Sequence, residues 1–361
     1  MRRPSAAPYI PDVLEKLGYE PEMARYAAAD ATIGRVLRVD RGLASVLTET
    51  GPVRSSIGGG VLSRMAQDPL QAPCTGDWCM LRDWPGRRTT LEGILPRRTA
   101  VVRAVAGEQS HGQVLCANLD IAAVVVALHP LPVMARIERL VTLAWESGAQ
   151  PLVVLTKTDL VQDAEDLAED VADLVPGVDV VLASTRTGRG IEELRGRLEG
   201  RLTMALLGAS GHGKSSLTNA LVGAEVLATR EIRQDGRGRH TSVRRELVPL
   251  PAGGAVVDTP GLRGVGLIDA EAGLGHTFAD VEGYALHCRF ADCAHHGEPG
   301  CAVAAAVESG ELALRRFESW QRLRRELDKI AARQDARLRV ERVGEWRSRQ
   351  SSNRPSARRA R

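Results

Sequence analysis

The stretch Gly208-Ala209-Ser210-Gly211-His212-Gly213-Lys214-Ser215-Ser216 has the chemistry of a phosphate cradle. Glycines let successive backbone N–H groups turn toward an anion, an ammonium reaches the outer phosphates, and a hydroxyl joins a magnesium shell. Lys214 is therefore expected on the β- and γ-phosphates and Ser215 on Mg²⁺, with residues 208–216 lining the nucleotide. The G-x-x-x-x-G-K-S spacing follows the apolar run Thr203 to Leu207 and precedes the helical run Ser216 to Leu221. A cradle needs that strand-to-helix order.

Thr156-Lys157-Thr158-Asp159 matches the T-K-x-D pattern of a guanine reader. The Asp159 carboxylate would accept from the N1–H and exocyclic amine of guanine. Adenine lacks those paired donors and would leave a buried carboxylate unpaired. Lys157 would lay its alkyl stem along the base, and Ser184-Thr185, closing another strand, could support it through backbone amides. In Asp258-Thr-Pro-Gly261 the carboxylate would hold Mg²⁺ through water and the Gly261 N–H would meet the γ-phosphate. Leu262 stands where many such enzymes carry a glutamine that orients water, so intrinsic hydrolysis is expected to be slow unless His240 or His212 positions it. The basic, glycine-rich Arg233 to Ser242 segment reads as a switch. Thr241 is the first choice to complete the magnesium shell and Ser242 the second.

Cys288-x4-Cys293-x-His295-x5-Cys301 offers three thiolates and one imidazole, the closed ligand set of one structural zinc. His296 could replace His295, and His287 is a weaker rival. Cys74 and Cys79 have no such company and read as core residues.

These groups need a scaffold. The chain has 361 residues, 43% apolar and 26% charged, which suits a soluble multi-domain protein and excludes wholesale disorder. The apolar run Ile121 to Leu128 is too short to cross a bilayer, and no apolar stretch follows the N-terminal arginines, so a cytoplasmic location and no membrane are expected. Lysine is rare: Lys16, Lys157, Lys214 and Lys329 are the whole complement, and two of them lie in the nucleotide motifs. A planar guanidinium cannot stand in for a compact ammonium among phosphates. Net charge is +3, but residues 315–361 hold 16 Lys+Arg against 6 Asp+Glu. With the small barrel this basic end makes an RNA-binding footprint. Aromatics are 3% of the chain, so phosphate contacts and RNA shape should outweigh base stacking.

Residues 1–31 form an extension expected to pack loosely. From 32 to 118 short strands between Gly, Pro and Asp, including the one at Thr99-Ala-Val-Val, suggest an OB-like β-barrel. From 119 to 265 strand and helix alternate as in a P-loop α/β domain, with each motif at a strand's carboxyl end. Residues 266–343 carry the Cys/His cluster and a helical stretch from Ala302 to Arg342, and 344–361 should be a disordered basic tail. The base motif precedes the phosphate loop, so the domain is circularly permuted and its Asp258 motif runs straight into the Cys/His module. Nucleotide state is expected to pass to that module through Leu262 to about Glu282.

The permuted order T-K-x-D, G-x-S-G-x-G-K-S-S, G-R-H-T-S, D-T-P-G, then C-x4-C-x-H-x5-C with Glu298-Pro-Gly-Cys301, resembles the RsgA family, the small-ribosomal-subunit-dependent GTPases. Thr75-Gly-Asp-Trp78 and Gln113-Val-Leu-Cys-Ala-Asn-Leu-Asp120 belong to the same resemblance. It implies an OB-fold, a permuted GTPase domain and a zinc-binding, mostly helical domain. It further implies GTP and GDP as ligands, Mg²⁺ and Zn²⁺ as metals, and the small subunit and its rRNA as partners of a monomer. Hydrolysis stimulated by the subunit would promote release late in its maturation. His212, Thr185 and Ser242 differ from the residues usual in that family. Two other readings are a GTPase regulating another RNA or translation partner, and a zinc-stapled RNA-binding scaffold with vestigial nucleotide binding.

Overall fold

The computed structural model describes residues 13–28, 31–86, 88–104, 112–227, 245–262, 267 and 270–332. Strands β1 (Thr32–Asp40), β2 (Leu43–Thr48) and β3 (Gly51–Ile57) form a meander; helix α1 (Gly59–Gln67) then leads to β4 (Trp78–Trp84) and β5 (Arg88–Ile94). The order β1-β2-β3-β5-β4 closes on itself through the antiparallel β1–β4 pair, which removes every free edge. Val36, Val46, Leu81 and Leu91 point inward and fill it. The barrel is OB-like, as the strand spacing predicts.

One predicted barrel strand lies elsewhere. β6 (Ala100–Ala104) pairs with β7 (Gly112–Ala117) in a separate two-stranded ribbon joining the barrel to the next domain. The barrel is already closed by five strands, so a sixth has no edge to join.

The second domain contains β8 (Ile121–Ala127), α2 (Met134–Glu146), β9 (Gln150–Thr156), α3 (Ala164–Leu174), β10 (Asp179–Leu182), α4 (Ile191–Gly196), β11 (Thr203–Leu207), α5 (Lys214–Val222), β12 (Glu246–Pro249) and β13 (Ala255–Asp258). Its sheet runs β10-β9-β8-β11-β13-β12, parallel except for the edge strand β12. β8 and β11 are apolar almost throughout because helices cover both faces of the sheet. β11 lies between β8 and β13, so the phosphate loop emerges beside the ends of both neighbours.

Three helices follow around the cysteines, α6 (Glu271–Thr277), α7 (Ala279–Ala285) and α8 (Ala302–Ser309), and a fourth, α9, spans 314–332. The predicted single helical stretch is broken at Gly310, whose φ of +82° ends α8. The N-terminal segment also departs from expectation. Leu14 and Leu17 are buried, and the Lys16 carbonyl accepts from Gly254 N at 2.7 Å. Two leucines at helical spacing and this backbone bond hold residues 13–28 against the rest of the chain. Among the described residues no helix is long and apolar enough to cross a membrane. The basic tail at 344–361 lies outside the described residues.

Candidate functional site

The loop between β11 and α5 is shaped by close approach. A Cβ on Gly208 would fall 2.3 Å from the Val125 carbonyl of β8, and Gly211 and Gly213 take φ of +84° and +85°. Side chains are strained in that region, so the glycines answer a backbone need. Ser210 lies against the Asp258 motif, since a Cβ on Gly261 would lie 2.5 Å from Ser210 N. Leu262 N donates to Gly208 O at 2.9 Å, and Thr259 Oγ1 to Leu206 O at 2.5 Å. Ala209 is half-buried, and Ser216 lies in the first turn of α5.

Lys214 is buried and folded back, Nζ donating to Gly208 O and Ala209 O at 2.9 Å each. Burial lowers its pKa to about 8, against the opposing pull of Asp258. Ser215 Oγ donates to Asp258 Oδ2 at 2.8 Å. The other oxygen, Asp258 Oδ1, is buried and has no hydrogen-bond partner among the described residues, and burial raises the pKa of the carboxyl. A hydroxyl and a carboxylate with one oxygen still open to a ligand form an oxygen donor set suited to a magnesium ion. A buried ammonium beside them, desolvated and bonded to two carbonyls, suits an anionic ligand.

The base motif stands next to this loop. Thr156 Oγ1 donates to His212 O at 2.7 Å, so β9 and the phosphate loop are tied directly. Lys157 sits in the left-handed region at φ +60°, and beyond it Thr158 is buried. Asp159 Oδ1 accepts from Ser184 Oγ at 2.7 Å, and Arg186 lies 3.8 Å from Oδ2. The Ser184 amide donates to Arg189 O at 3.0 Å, and the Ser184 hydroxyl is the group that meets Asp159. Thr185 is exposed beside it. The His212 ring is not aimed into open crevice. Its Nδ1 lies 3.0 Å from Val125 O, and burial lowers its pKa, as do nearby Lys214, Arg136 and Lys157. His240, Thr241 and Ser242, with the rest of the predicted switch, lie outside the described residues.

The second site is the cysteine cluster. The ligand atoms of Cys288, Cys293, His295 and Cys301 all lie within 4.8 Å of one another. That separation suits a tetrahedral zinc with bonds of about 2.0–2.3 Å. His295 Nδ1 is 3.6 Å from Cys288 Sγ and 3.5 Å from Cys301 Sγ, whereas His296 and His287 fall outside the group. Sequence reading missed what shapes it. Glu298 accepts from Ala294 N at 3.0 Å and His296 N at 2.6 Å, holding the knuckle closed, and the Trp320 ring packs 5.6 Å from the His295 ring. Cys74 and Cys79 are buried, as expected of core residues.

A family model described as RsgA GTPase matches residues 94–268. The Small ribosomal subunit biogenesis GTPase RsgA of Streptomyces avermitilis is 47% identical over 334 residues, covering 91% of this chain and 88% of its own. Its counterpart from Streptomyces coelicolor is 49% identical over 322 residues, covering 88% and 86%. Among solved structures, YjeQ from Thermotoga maritima is similar at a TM-score of 0.60 and 27% identity, covering 82% of this chain and 98% of its own. YloQ, described as a circularly permuted GTPase, shares the fold at a TM-score of 0.55 and 23% identity, over 85% and 96%.

Proposed function

The chain belongs to the RsgA family of GTPases, and from that premise we propose that it spends GTP in the biogenesis of the small ribosomal subunit. Docking would use the barrel and the cysteine module. The subunit stimulates hydrolysis, and hydrolysis promotes release. The protein acts as a monomer in the cytoplasm.

Lys214 leaves the carbonyls of Gly208 and Ala209 for the β- and γ-phosphates, and the N–H groups of residues 208–216 hold the phosphates. Ser215 and Thr241 are the proposed magnesium ligands, with Asp258 holding the ion through water. That ion supplies charge neutralisation at the β- and γ-oxygens when bound. Gly261 turns its N–H to the γ-phosphate. Asp159 reads guanine, oriented by Ser184, beside Thr156, Lys157 and Thr185. His240 is the proposed water-positioning group, because the Leu262 side chain is apolar and buried. Cys288, Cys293, His295 and Cys301 hold one structural zinc.

The observation that carries the nucleotide part is the Ser215–Asp258 pair with its orphaned carboxylate oxygen beside a desolvated Lys214. The names of the curated relatives support the partner. GTP turnover should be measured with and without small ribosomal subunits, with ATP and large subunits as controls. Strong stimulation by small subunits alone is expected. Turnover indifferent to small subunits would move the partner elsewhere.

A further inference from the structure

The Thr75-Gly-Asp-Trp78 turn lies in the barrel, yet one of its side chains reaches the nucleotide domain. The rest of the turn is locked in place. Gly76 takes φ +91°, and a Cβ there would fall 2.3 Å from Ala117 O. Asp77 is fully buried, accepts from Cys74 N at 2.8 Å, and receives Arg97 through two bonds of 2.7 and 2.9 Å. Trp78 is buried beneath the Arg35 guanidinium. Thr75 itself is pinned by its backbone, with Ala117 N donating to Thr75 O at 3.1 Å. Its hydroxyl then donates to the carbonyl of Arg245 at 3.3 Å.

Arg245 immediately precedes β12, and β12 is the edge strand paired with β13. In that pairing Glu246 stands opposite Asp258. The barrel thus grips the chain one residue before the neighbour of the carboxylate that pairs with Ser215. By chain connectivity, Arg245 also follows Thr241 by four residues. A second contact supports the first: Arg38 of β1 approaches Glu246 at 3.9 Å.

We infer that Thr75 is a positioning residue for GTP hydrolysis, acting through the Arg245 carbonyl to set where β12 begins and so where β13 presents Asp258 on the γ-phosphate side of the site. A rigid turn holding a strand end through one hydroxyl transmits displacement of the barrel into the γ-phosphate side of the site, and by linkage the reverse. The base side, with Asp159 and Ser184, is on the far edge of the sheet and is not touched by this contact. The effect should therefore fall on the hydrolytic step and spare GDP binding. This rests on the GTPase reading above.

The test uses the full chain carrying Thr75→Val, which keeps the shape and removes the donor, and Thr75→Ser, which keeps the donor. Intrinsic single-turnover GTP hydrolysis and GDP affinity are measured on both, without any ribosomal particle. Thr75→Val should hydrolyse GTP about fivefold more slowly, the worth of one hydrogen bond, with GDP affinity within about twofold of wild type. Thr75→Ser should recover most of the rate. An unchanged or raised rate in Thr75→Val, a Ser variant no better than Val, or GDP affinity falling by the same factor would each overturn the assignment. Failure of small subunits to stimulate the wild type would count against the proposed partner and leave these numbers to be judged by themselves.

Discussion

The buried charges where α2 meets the C-terminal helices and those in the nucleotide crevice are built on opposite principles. Where α2 meets the C-terminal helices, Glu138 is fully buried and accepts from Arg316 Nη1 at 3.1 Å and Ser319 Oγ at 2.5 Å. Arg316 donates further to Leu174 O, Thr277 O and both oxygens of Asp280, and stacks 4.5 Å over the Phe278 ring. Each of these charges has partners. In the nucleotide crevice the opposite holds: Asp258 Oδ1 has no partner among the described residues, and Lys214 is held by carbonyls with its pKa pushed down to about 8. A satisfied network holds elements together, whereas an unsatisfied one stores free energy that a complementary ligand releases. The same residue types thus mark an interface in one place and a binding site in the other.

That contrast predicts opposite signs for opposite truncations. Arg316→Ala leaves Glu138 buried without its main cation, so stability should fall by about 3–5 kcal/mol in denaturant titration. A loss under about 1 kcal/mol would mean that the network is no tighter than a surface pair.

Lys214→Met should instead stabilise the nucleotide-free protein, by on the order of 1–3 kcal/mol near neutral pH, while abolishing GTP turnover. The unfolded lysine keeps its proton up to about 10.5, and the folded one releases it at about 8. Between those values the unfolded state binds more protons, so wild-type stability should climb with pH across that window and level off above it. Thermal melts from pH 7 to pH 10.5 should show this rise in the wild type and lose it in the variant. An identical slope in both would remove Lys214 as its source.

The smallest effect sharpens the same comparison at a partly exposed pair. Arg139 and Glu326 also join α2 to the C-terminal helices, but both are about a quarter exposed. Glu326→Gln should cost less than about 1 kcal/mol in the same titration. A cost matching that of Arg316→Ala would show that charge pairing alone, and not burial, holds this interface.

Much of this was legible from the sequence. The phosphate loop, the base motif, the Asp258 motif and the cysteine cluster each need particular residue types at fixed short spacings, because backbone curvature and ligand count set those spacings locally. The alternation of apolar strands with amphipathic helices was likewise written into short windows. The closure of the barrel before the Thr99 strand was not, since it depends on which edges meet. Nor were the contacts between elements. Thr156 finds the His212 carbonyl 56 positions away, Thr75 finds Arg245 at 170, and Glu138 finds Arg316 at 178. No local period encodes such pairs, because a hydroxyl or guanidinium reads the same in sequence whether it will meet water or a buried partner. By itself the sequence determined which chemistry the chain carries and in what order. Only the tertiary structure decided which of its charges are satisfied, because a charge's free energy depends on the groups brought around it by distant parts of the chain.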